Sequence, residues 1–154
     1  MFRIKFSLVF LTITLFLSSC NLVKSIPQPL PSPSSNWIVK LNQSGGIAGV
    51  QLNIEISSDG QLRAEDQRSN RIVTQTLPPQ TLTKIHQLMG TTSVSMTGVP
   101  QSGCADCFIY DLEIQTEESN YHINVDDVTM KNSSAAELIT LLSKLRDGAL
   151  AANP

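Results

Sequence analysis

The chain has 154 residues with 11 Lys and Arg, 13 Asp and Glu and two His, a formal charge of -2 at neutral pH. Its basic residues form no cluster, so the electrostatic footprint of a nucleic-acid binder is missing. Three cysteines are too few for a disulfide-built scaffold, and the length beyond the N-terminal segments suffices for one independent core.

Arg3 and Lys5 precede an apolar run from Phe6 to Leu17, interrupted by Ser7, Thr12 and Thr14. A basic start, an apolar stretch shorter than the ~20 residues of a bilayer-spanning helix, and small residues after it make an export signal. The stretch ends in Leu17-Ser18-Ser19-Cys20, which resembles the lipobox of bacterial lipoproteins. That resemblance implies removal of residues 1–19, acylation of the Cys20 thiol and attachment to a lipid bilayer, either the bacterial cell membrane or the outer membrane. Asn21, in place of an aspartate after the cysteine, favours the outer membrane where one exists. Residues 20–35 carry Pro27, Pro29, Pro31 and Pro33 among Ser, Gln and Asn and read as an extended tether.

A folded domain over 36–148 should follow. Trp37, Val39 and Leu41 alternate with polar residues, predicting a strand that ends in a turn over Asn42 to Gly46. Val50, Leu52, Ile54 and Ile56 predict a second strand, Ser57-Ser58-Asp59-Gly60 a hairpin turn, and Leu62 and Ala64 a weaker third strand. Arg71 to Thr76 extends the sheet in an unassigned register. Leu82, Ile85, Leu88 and Met89 have helical spacing behind Pro78 and Pro79, which the first turn tolerates. Gly90 to Gly103 reads as a surface loop rich in Thr, Ser and Gly. Phe108, Tyr110, Leu112 and Ile114, then Tyr121, Ile123 and Val125, predict an antiparallel hairpin with one apolar face and a six-residue polar loop from Gln115 to Asn120. Ser134 to Glu137 has the form of a capping box, Leu138, Leu141, Leu142 and Leu145 an apolar stripe, Arg146 a favourable charge at the helix end, and Gly148 a stop. Residues 149–154 would then be a flexible tail. The expected class is α+β, a mainly antiparallel sheet with two helices packed on one face.

Few residues suggest chemistry. Cys104 and Cys107 form a CxxC pair whose second cysteine opens a strand rather than a helix, so the helix-terminus stabilisation of a reactive thiolate is missing. A structural disulfide is the first reading, with a thiol-disulfide oxidoreductase as the alternative and metal ligation behind it. His86 and His122 lack partners at zinc-like spacing, and the pairs Glu117-Glu118 and Asp126-Asp127 lack the ordered spacing of a calcium loop, so they read as solvated edges. The serines have no nucleophile-elbow context. The chain is therefore expected to be no enzyme, with no catalytic residue, no metal and no cofactor.

Five segments taken together carry a family resemblance: Ser44 to Val50 with its turn Gly45-Gly46-Ile47-Ala48-Gly49, the short helix opened by Leu77-Pro78-Pro79, Ala105 to Leu112 with the motif Ala105-Asp106-Cys107-Phe108-Ile109-Tyr110, Val125-Asp126-Asp127, and a closing leucine-rich helix. From Trp37 to Leu145 the chain resembles the emfourin family of small inhibitors of thermolysin-like metalloproteases. The resemblance implies a non-catalytic protein-binding domain, with Gly45, Gly46, Ile47 and Gly49 as candidate contact residues and a metalloprotease as candidate partner. The lipobox, the tether and the loop with its cysteine pair depart from that family's pattern. They leave open a structural accessory lipoprotein that binds another envelope protein.

Overall fold

The computed structural model describes residues 36–92 and 103–152; the lipobox, the tether and most of the Thr/Ser/Gly loop lie outside them. Alternation builds six strands: β1 (Trp37–Gly45), β2 (Val50–Ser57), β3 (Gln61–Asp66), β4 (Arg71–Thr76), β5 (Phe108–Thr116) and β6 (Asn120–Asp126). They form one antiparallel sheet in the order β4-β3-β2-β1-β5-β6. Two helices, α1 (Pro79–Thr91) and α2 (Ala136–Ala152), join the core, and the sheet is an α+β fold of the expected kind. The residues of one parity, including Trp37, Val39, Leu41, Ile54, Ile56, Leu62, Leu112 and Ile114, are buried together with Ile85, Leu138, Ile139 and Leu142. Lys40, Asn42, Asn53, Glu55, Arg63, Asp111 and Glu113 line the other face in a shallow hollow of about 290 Å³.

Several boundaries differ from those read in the sequence. Asn42 to Gly45 continue β1, because each is paired on both sides, to β2 and to β5; the turn is Gly46 to Gly49. Arg71 to Thr76 is a full fourth strand, in register with β3 from Gln61↔Thr76 to Asp66↔Arg71. The β5–β6 connection is shorter than six residues: Gln115 pairs with Asn120, and the Thr116 N–H donates to the Ser119 carbonyl at 2.8 Å.

Both helices are longer than expected. α1 carries Pro79 in its first turn, where a missing donor costs nothing, and passes through Gly90. It ends where Thr92, buried, donates its hydroxyl to the Leu88 carbonyl at 2.8 Å and its N–H to the carbonyls of Leu88 and Met89. Just before α2, Ser133 accepts the Ala135 N–H on its Oγ and the Ala136 N–H on its carbonyl, each at 3.1 Å. Gly148 does not stop the helix and 149–152 are no flexible tail. The run Ala149-Leu150-Ala151-Ala152 has the strongest helix formers, and Ala149 is buried, which offsets the ~1 kcal/mol cost of a helical glycine.

Candidate functional site

The ladder places four segments at one end of the sheet. The Gly46 N–H donates to the Cys107 carbonyl at 3.2 Å, and the Asp127 N–H to the Phe108 carbonyl at 3.2 Å. The β1–β2 turn, the Cys104 to Cys107 turn and the turn after β6 are therefore neighbours along one rim. The Arg68 guanidinium, from the β3–β4 turn, donates to the Ala48 carbonyl and brings the fourth.

The glycine turn is seated on the start of β5. Gly45 and Gly46 have φ of 93° and 68°, the left-handed region that other residues enter at a cost. A Cβ on Gly45 would lie 2.7 Å from the Cys107 carbonyl oxygen, and one on Gly46 would lie 2.5 Å from Cε1 of Phe108. Glycine is needed there for close approach as well as for backbone conformation. Gly49, with φ of 58°, meets nothing within 4 Å and supplies conformation alone. Its N–H donates to the Gly46 carbonyl at 2.9 Å and closes the turn.

Between Gly46 and Gly49 the turn lifts Ile47 into solvent with 92% of its surface exposed. Val128 on the turn after β6 and Ile109 on the solvent face of β5 are exposed to 56% and 38%. The disulfide joining Cys104 to Cys107, with Cα atoms 5.5 Å apart, belongs to the same rim. The disulfide expected from the sequence is thus formed, and Ala105 and Asp106 occupy the exposed turn it closes.

Behind the rim is a polar network that sequence reasoning missed. Asp127, expected on a solvated acidic edge, instead accepts the Phe108 N–H at 2.9 Å and the Tyr110 hydroxyl at 3.1 Å. Asp126 accepts the N–H groups of Val128 at 3.0 Å and Thr129 at 2.8 Å and shapes the turn that carries Val128. Burial first, then the hydrogen bond to Asp127 and its charge, push the Tyr110 hydroxyl up to about 12, while Arg146 acts in the opposite sense. Arg146 does not serve the helix end as expected: it is 2% exposed, with Nη2 donating to Gln43 Oε1 at 2.7 Å and Nε to Asp147 Oδ1 at 2.9 Å. Its Nη1 and the Trp37 indole N–H have no partner among the described residues.

Both residues had a signal in the sequence. Gln43 falls on the buried parity of Trp37, Val39 and Leu41, and Arg146 lies one turn beyond Leu142 on the stripe of α2. The other candidates lie away from the rim or outside it. His122 Nε2 bonds Asp111 Oδ1 on the solvent face, His86 is exposed on α1, and Glu117 accepts the Asn36 N–H at 3.3 Å at the opposite end of the sheet. Cys20 lies outside the described residues. No group of three or more His, Cys, Asp or Glu able to hold a metal ion occurs among the described residues.

No protein-family model matches this chain, and no curated protein is significantly similar to it. Function therefore rests on what the rim can do. It offers no nucleophile with an adjacent base among the described residues; it offers aliphatic side chains held out on a fixed backbone, which suits it to insertion into an apolar pocket of another protein.

Proposed function

We propose that this chain is a membrane-anchored protein of the bacterial envelope whose domain binds another protein through the glycine-turn rim, with a thermolysin-like metalloprotease as the partner class. The observation that carries the reading is Ile47: a large aliphatic side chain almost wholly in water, on a turn tied to Cys107, Gly46 and Arg68. A side chain presented on a backbone that is already ordered loses little entropy on docking, the condition for a small contact to bind well. The lipobox resemblance ending at Cys20 and the emfourin resemblance of the glycine turn and the Ala105 to Tyr110 motif support the location and the partner class.

The test is titration of the domain into a set of thermolysin-like proteases, with capture from detergent-solubilised envelopes in parallel. Stoichiometric loss of protease activity, abolished by Ile47→Asp while the fold is retained, is the expected result. Absence of inhibition at micromolar domain, with capture of non-protease envelope proteins alone, would refute the protease assignment and favour an accessory lipoprotein.

A further inference from the structure

The two edges of the sheet are not equivalent. In β4 the Leu77 N–H donates back to the Gly60 carbonyl at 2.9 Å, which fixes the phase of the ladder: the odd residues Arg71, Val73 and Gln75 point their backbone groups at β3. Ile72, Thr74 and Thr76 therefore direct N–H and C=O outward, where no strand lies beside them among the described residues. Sheet proteins protect such a row with lysine, proline, a bulge or a covering segment. From Ile72 to Thr76 there is no charge, no proline and no break in the register with β3, and Ile72 is 53% exposed. The β6 edge is treated differently. Its outward residues include His122 and Asp126, and the Asp126 N–H is occupied by Thr129 Oγ1 at 3.0 Å.

We propose that β4 is a pairing edge for a second copy of this chain. Antiparallel pairing about a two-fold axis at Thr74 sets Thr74 against Thr74 of the other copy and Ile72 against its Thr76. All these residues have backbone groups pointing outward and side chains on the same face, as an antiparallel ladder requires. Every cross-strand contact on that face is then between β-branched side chains, which pair favourably, and no charge opposes a like charge. Val73 meets Gln75 on the other face. The register is self-complementary, as a two-fold interface must be, and it makes one continuous sheet of two copies. The contact is a single strand wide, below the ~1,000 Å² of a stable interface, so the association is weak and reversible.

Residues 33–154 form a compact unit that contains every buried core residue from Trp37 to Ala149, so they serve for the test. Sedimentation equilibrium from micromolar to about 1 mM should give a reversible monomer–dimer equilibrium. Thr74→Pro removes an outward N–H that β3 does not use, and should weaken association at least about tenfold. Ile72→Lys keeps every backbone group, guards the edge with charge and should do the same if the proline variant fails to fold. Under mild oxidation Thr74→Cys should give a covalent dimer, and Asn124→Cys, outward on β6, should not. A strictly monomeric domain at 1 mM, an unchanged dimer in Ile72→Lys, or equal cross-linking at the two edges would overturn the proposal.

Discussion

Replacing each rim glycine by alanine gives a graded set of costs, because the three sites differ in what a methyl group meets. All three pay for a left-handed backbone, about 1–2 kcal/mol for an L residue. At Gly49, φ 58° with open space around it, that is the whole cost. At Gly46 the new Cβ meets the Phe108 ring at 2.5 Å, and the ring yields by moving in a partly buried site, so the total rises to about 2–3 kcal/mol. At Gly45 the obstacle is the Cys107 carbonyl oxygen at 2.7 Å, which is backbone, bonded to the Gly46 N–H and tied into the disulfide turn. Displacing it breaks the end of the β1–β5 ladder, and the cost reaches about 3–5 kcal/mol. Urea denaturation of residues 33–154 measures the series, and the midpoint should fall in the order Gly49→Ala, Gly46→Ala, Gly45→Ala with the slope unchanged. Equal costs at the three positions, or a larger one at Gly49, would mean that the turn does not rest on the start of β5, and the geometry argued for Ile47 would go with it.

Gln43 and Arg146 should be strongly coupled: Gln43→Met and Arg146→Met should each cost about 1.5–3 kcal/mol, because a buried polar partner is left behind, while the double variant costs much less than their sum. A double-mutant cycle by urea denaturation that comes out additive would refute this. The Tyr110 hydroxyl, with its folded value raised to about 12, contributes stability that is complete below the unfolded value near 10 and is lost as pH rises from 10 to 12. Tyr110→Phe should flatten the stability profile in that window, and an unchanged alkaline slope would count against the assignment. Reduction of Cys104–Cys107 should lower stability by about 2 kcal/mol or less, since the ring is very short, and thiol titration of oxidised protein should find no free thiol at these positions. Intact mass and detergent partitioning of the chain expressed in a bacterium should reveal acylation at Cys20, lost in Cys20→Ser; an unmodified wild type would refute the anchor.

Strand parity was the most legible feature. Val39, Leu41, Ile54, Ile56, Leu112 and Ile114 alternate with polar residues, and the buried face follows them. The disulfide was legible because its short spacing carries it, and the glycines announced a turn, though it lies at Gly46 to Gly49 and not at Asn42 to Gly46. Boundaries were less so, because a polar residue such as Asn42 or Ser44 can be a turn or the solvent side of a strand, and only its partners on β2 and β5 decide. The network behind the rim was hidden by distance. Gln43 and Arg146 are 103 residues apart, and neither contains a local instruction to meet the other. Asp127 was misplaced because an acidic pair after a strand has the composition of a solvated edge, whereas its N–H and hydroxyl donors come from β5. Gly148 misled because its helix-ending tendency is local, and the burial of Ala149 is not.

β1 runs from Trp37 at one pole of the sheet to Gly45 at the other, a span of about 30 Å for a nine-residue strand. Whatever holds the chain upstream of Asn36 therefore pulls on the pole farthest from Ile47. If Cys20 is acylated as proposed, the attachment enters the domain at the Trp37 pole and the rim is at the other. A partner confined to the same surface then meets it at an effective concentration set by the leash, millimolar for short flexible connections. On the proposed anchoring even a weak intrinsic affinity would suffice for capture, and Cys20→Ser would reduce capture in the cell while leaving the isolated domain's affinity unchanged.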